Sequence, residues 1–184
     1  MFEVFLKIRQ LQELLWYLTE VLMHKSTSQI HIIACSLIRE AEDVTYLDPH
    51  LLIEFDIVGL RSKVNDILVK ASELIRAEVI DKIKIQTKHK KTMGKKIDFI
   101  GAKLRNSNFN GANLRGAFLI AADLRNTDFS YADLIGADFR DADVRGANLS
   151  KSIFLTQAQV NCSKGDKSTK IPELLIRPKH WNIG

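Results

Sequence analysis

From Phe99 onward an apolar residue recurs at every fifth position, through Leu104, Phe109, Leu114, Leu119, Leu124, Phe129, Leu134, Phe139, Val144, Leu149 and Phe154. Two places before these centres stands a small residue, Ala102, Ser107, Ala112, Ala117, Ala122, Thr127, Ala132, Ala137, Ala142, Ala147 or Ser152, and only Ile97 breaks the rule. One place before, nine of the twelve units carry Asp or Asn, among them Asp98, Asn108, Asp123, Asp128 and Asp143. A period of five fits neither the 3.6 of a helix nor the 2.0 of a plain strand. Each unit must therefore join a short extended piece to a turn, and the chain is expected to coil as a solenoid. Extended side chains alternate, so the centre and the small residue point inward and the residues flanking the centre point outward. Gly101, Asn106, Gly111, Gly116, Asn126, Gly136, Asp141 and Gly146, at the unit ends, supply turn chemistry.

Upstream the period changes. Phe2, Phe5, Ile8, Leu11, Leu15, Leu18 and Leu22 follow helical spacing with Glu3, Arg9, Glu13 and Glu20 between them. Ser26 with Gln29 reads as a capping box opening a second helix. Asp48-Pro49 opens a long third one running through Leu60, Val64, Ile67, Leu68, Ala71, Leu74 and Ile75. Residues 1–85 are thus an expected three-helix region, 86–96 a basic linker, 97–156 the solenoid and 157–184 a capping tail. In the tail, Thr156 and Gln159 form another capping box, Gly165 reads as a helix stop, and Leu174, Leu175, Ile176 and Trp181 are expected to lie over the last coil.

The five-residue units resemble the pentapeptide-repeat family, whose consensus runs small, Asp or Asn, Leu or Phe, then two variable positions. The tail, with Leu155-Thr156-Gln157 at its start and Pro178-Lys179-His180-Trp181 near its end, resembles the ending of a subset of bacterial members. The resemblance implies an α plus β-solenoid chain, with a right-handed quadrilateral β-helix of four units per turn and about three coils, ~4.8 Å apart. Four units per turn make residues twenty apart neighbours. Arg105, Arg125 and Arg145 then form a column beside Lys103, Asp123 and Asp143, either a solvated salt-bridged ladder or a charged platform for an acidic partner. Outward apolar residues Ile100, Phe118 and Ile120 on one face and Ile135, Ile153 and Leu155 on the next make a docking patch that needs a cover. The N-terminal helices are favoured over a second copy for that role, because their apolar stripes must be buried somewhere.

Charge refines this picture. The net +5 divides as 15 basic to 13 acidic residues over 1–97, 7 to 7 over 98–156, and 5 to 2 over the tail. Only the run Lys82, Lys84, Lys88, Lys90, Lys91, Lys95 and Lys96, with His89, is dense, and it lacks interleaved aromatics, so nucleic-acid binding is not expected. No charge-free stretch approaches the ~20 residues of a bilayer span. Glu3, Lys7, Arg9 and Glu13 stand where a secretory leader would be apolar. Two cysteines, Cys35 and Cys162, suit a reducing cytoplasm. The sequence holds no catalytic set, metal-ligand cluster or phosphate loop, so no enzyme and no cofactor is expected. The expected function is a non-catalytic scaffold for protein–protein interaction in the bacterial cytoplasm. The resemblance offers an alternative, a DNA mimic that binds gyrase or topoisomerase IV and confers quinolone-type resistance, but mimicry needs an acidic stripe and this repeat is balanced. A second alternative is nucleic-acid binding through the basic linker.

Overall fold

A computed structural model describes residues 2–80 and 97–182. The chain divides into two compact units, Met1–Ile75 and Arg76–Gly184. The linker 86–96 and the lysine run from Lys82 to Lys96 lie outside the described residues.

The first unit is built from α1 (Phe2–Met23), a 3-10 turn (Lys25–Ile30), α2 (His31–Thr45), α3 (Pro49–Glu54) and α4 (Ile57–Ile80), whose last turn belongs to the second unit. Helical spacing accounts for its core: Leu11, Leu14, Leu18 and Val21 of α1, Ala34, Leu37, Ala41 and Val44 of α2, and Leu60, Val64, Leu68, Ala71 and Ile75 of α4 are buried. Three expectations are corrected. Ser26 and Gln29 form no capping box; they lie within the 3-10 turn, and α2 starts at His31 without a side-chain cap. Buried Thr27 ties the turn down instead, its Oγ1 2.5 Å from the Val21 carbonyl and 3.0 Å from His31 Nε2. The long third helix is two helices, giving four in all, because Phe55 is extended (ψ 132°). Lys7 Nζ donates to the carbonyls of Ile53 and Phe55, and the Asp56 carboxylate restarts the helix by accepting the Gly59 amide at 3.1 Å. Pro49 does occupy the first turn of α3, though the Asp48 side chain makes no capping bond there.

In the second unit the chain returns beside itself every twenty residues. Parallel bridges join Asp98 to Phe118 to Asp138, Lys103 to Asp123 to Asp143, Asn108 to Asp128 to Asn148, and Asn113 to Asp133 to Ile153. Each five-residue unit thus contributes one bridge residue and one turn. The turn closes when the amide of the small residue reaches the preceding centre carbonyl, as in Ala102 to Phe99 (3.0 Å) and Ala122 to Leu119 (3.1 Å). Its third residue has positive φ in ten consecutive units, from Gly101 to Gly146, which is the requirement of a type II turn. Asn106, Asn126 and Asp141 tolerate that conformation, while Ala121 and Tyr131 adopt it against their preference.

The carboxylate or amide before the centre has a structural task of its own. Its Oδ1 accepts the amide two residues on, from Asp98 to Ile100 (3.0 Å), Asn108 to Asn110 (2.8 Å) and Asp138 to Arg140 (3.1 Å), and likewise in the other Asp and Asn units. This Asx turn gives the unpaired turn amide a partner. Inside, Phe109 and Phe129 stack at 5.5 Å, and Leu119, Leu124, Phe129, Leu134 and Val144 are wholly buried. Thr127, at an inward small position, satisfies its hydroxyl on the Leu104 carbonyl at 2.8 Å.

The tail forms α5 (Gln157–Asn161) with the expected Thr156–Gln159 capping box. Gly165 is not its stop, since the helix already ends at Cys162. The chain instead resumes the ladder, Lys164 pairing with Asp143 and Lys170 with Asn148, so the pairing runs beyond residue 156. Ser163 and Thr169 occupy buried small-residue positions, and Thr169 Oγ1 donates to the Val144 carbonyl. At Gly165 the missing side chain makes room for the Trp181 indole, which a Cβ would strike. Trp181 is buried and its Nε1 donates to Ser163 O at 3.0 Å. Leu175 is buried as expected, whereas Leu174 and Ile176 are exposed. Gln157 holds the Ile176 backbone at both its amide and its carbonyl, leaving that side chain outside.

Candidate interaction surface

The bridge register Lys103, Asp123, Asp143, Lys164 fixes the expected charged face residue by residue. Two positions on from each bridge, Arg105, Arg125 and Arg145 stack in one column, and Asp166 follows them after Lys164. Arg125 grips Asp123 through Nε (2.7 Å) and Nη2 (2.6 Å), and also lies 3.7 Å from Asp143. Arg145 grips Asp143 in the same two-point way, at 2.8 Å and 2.5 Å. Alternation along the strand sets this geometry, because residues i and i+2 share a side and the turn brings the guanidinium back over the carboxylate.

The electrostatics follow. Asp123 is lowered to about 2, first by its hydrogen bonds from the Arg125 side chain and against a burial contribution of opposite sign. Asp143 is lowered by Arg145 in the same manner. Asp166 also falls to about 2: its partial burial raises it, and the Ser168 and Thr169 hydroxyls together with the Gly146 and Ser168 amides outweigh that. Arg105 is exposed, with no hydrogen bond or ion pair among the described residues. The three arginines line a shallow concavity of about 210 Å³ with Asn126, Gly146, Asp166 and Ser168. Arg140 repeats the two-point pair with Asp138 on another face, where the column reads Ile100, Ile120, Arg140.

The six apolar residues are not equally placed. Ile100 is 56% exposed, Phe118, Ile120 and Ile135 are half-buried, and Ile153 and Leu155 are buried at 0% and 3%. Nor are their columns uniformly apolar. Phe118 lies between Asp98 and Asp138, and Ile153 follows Asp133. Asp133 was not singled out in the sequence, yet it is wholly buried and paired to Arg115 at 3.1 Å. A covered carboxylate cannot be read from a repeat in which nine units carry Asp or Asn. His180 makes a 3.0 Å contact with the Ser163 carbonyl beside Trp181, a packing role. No group of three or more His, Cys, Asp or Glu side chains among the described residues could hold a metal. No described helix is long and apolar enough to cross a membrane.

The family model described as pentapeptide repeats matches residues 95–130 and 119–154. The uncharacterized protein YybG of Bacillus subtilis (strain 168) is 51% identical over 185 residues, covering 98% of this chain. The chain spans about 63% of the length of that curated relative. Among solved structures, a pentapeptide repeat protein (Rfr23) from the cyanobacterium Cyanothece 51142 is 28% identical, with a TM-score of 0.38 over 42% of this chain and 52% of that one. The unbroken five-residue register, the turns that repeat from Gly101 to Gly146 and the family model together identify residues 95–154 as pentapeptide repeats.

Proposed function

We propose that this protein is a non-catalytic scaffold of the bacterial cytoplasm that presents the face of Arg105, Arg125, Arg145, Asp123 and Asp143 to an acidic partner protein. In this reading residues 97–156 form a right-handed quadrilateral β-helix of about three coils, with 1–85 as a helical region, 86–96 as a linker and 157–184 as the cap. The observation that carries it is the row of arginines held on backbone bridges twenty residues apart, two of them clamped in place by their own aspartates. Side chains already immobilised lose little entropy when a partner docks. The DNA-mimic alternative asks for an acidic stripe, and this column is basic. Capture from the native cell tests the reading: a partner held by the wild type and by Arg140→Glu, but lost from Arg105→Glu/Arg145→Glu, supports it. Equal capture by all three proteins assigns recognition elsewhere.

A further inference from the structure

We propose that the arginine column is a binding site for a phosphate monoester group. The inference deepens the acidic-partner reading and rests on it.

Three observations point to phosphate rather than to a plain carboxylate. First, the balance on this face is local. Arg105, Arg125, Arg145 and Lys103 stand beside Asp123, Asp143 and Asp166, four positive to three negative once Lys164 is set against its partner Asp141, whereas the repeat as a whole is neutral. Second, the negative groups are already engaged. Asp123 and Asp143 accept from the Nε and Nη2 edges of their own arginines. Asp166 also lines the concavity, with its Oδ1 engaged by Ser168, Thr169 and the Gly146 amide. Third, the donors left over are those of Arg105 and the Nη1 groups of Arg125 and Arg145. They come from successive circuits, ~4.8 Å apart, around one concavity with Ser168 beside it. A planar carboxylate is best met by one guanidinium edge; the Nε–Nη2 edges of Arg125 and Arg145 are occupied, so it would engage Arg105 alone. A tetrahedral dianion with three acceptor oxygens can take donors from two guanidiniums stacked on different circuits at once.

The test is titration of the full chain at pH 7.5 and constant ionic strength, following the arginine Nε–H resonances. The probes are inorganic phosphate, a phosphoserine peptide, and the same peptide with glutamate in place of phosphoserine. Saturable shifts are expected at Arg105, Arg125 and Arg145 and not at Arg140, with affinity falling about tenfold in Arg105→Gln, as loss of a charge-assisted hydrogen bond requires. Arg105 is exposed and unpaired, so this variant keeps the fold. Tighter binding of the phosphopeptide than of phosphate identifies a phosphoprotein source, and equal binding a small phosphate ester; either supports the site. Shifts at Arg140 equal to those in the column, no saturation, or unchanged affinity in Arg105→Gln overturn it. A glutamate peptide bound as tightly as the phosphopeptide also overturns it, while leaving the acidic-partner scaffold standing.

Discussion

At Ala121 a single residue carries a strain that its neighbours avoid. Gly116 and Asn126 sit at the same turn position, where φ is positive, and Ala121 holds φ 54° there with a Cβ. The left-handed region costs an L-residue about 1–2 kcal/mol, and Ala121 is exposed, so little packing is lost on trimming it. Ala121→Gly should raise stability by up to about 1 kcal/mol in denaturant titration, and Ala121→Val should lower it. Residue-scale electrostatics give a second expectation. Asp123 and Asp166 fall from 3.8 to about 2 on folding, so both stay ionised in the native state where the unfolded chain begins to take up protons. Their contribution is present above the unfolded value near 3.8 and is lost as pH falls toward 2. Stability measured from pH 6 to 2 should therefore drop below pH 4, and Asp123→Asn should flatten that fall.

At the scale of the element, the five-residue unit separates an inward site from an outward one. Leu124 is wholly buried in the middle of the ladder, so Leu124→Ala should cost about 2–5 kcal/mol. Asp128 points outward but is not idle: its Oδ1 accepts from the Ser130 amide, the Ser130 hydroxyl and Asn148 Nδ2. Asp128→Ala should lose about 1 kcal/mol, a clear but smaller effect. Equal losses at the two positions in urea titrations would contradict the register. Centres, small positions and turn residues were legible because steric demands recur unchanged in every unit. The purpose of Asp and Asn before the centre was not, since the Asx bond is a matter of geometry rather than of polarity. Helix ends were legible only in part. Ser26–Gln29 and Thr156–Gln159 present the same pattern, and only the second has a chain direction that lets both reciprocal bonds form. The break at Phe55 is bonded by Lys7, forty-eight residues away, a contact that no local pattern reveals. In the candidate face, the column of charges followed from the twenty-residue spacing, whereas the tail's share in it did not, because Lys164 and Lys170 interrupt the five-residue rhythm.

For the molecule as a whole, pairing between circuits makes the repeat additive, each circuit resting on the one before it. The tail is different, because it matches one end only. Lys164 must meet Asp143, Lys170 must meet Asn148, and Gln159 must reach the carbonyls of Leu134 and Ala137 at 2.7 Å and 2.9 Å. Duplicating residues 117–136 in place should preserve all of these contacts, because twenty residues bring the chain back to the same side. Inserting five should carry the tail a quarter-turn away from its partners. Thermal unfolding of the two variants checks this: the longer insertion should melt near the wild type or above it, and the shorter one well below. Gln159, reaching back to Leu134 and Ala137, should thus work as a ratchet tooth: the repeat can lengthen by whole revolutions, and fractional ones are rejected at the closing step.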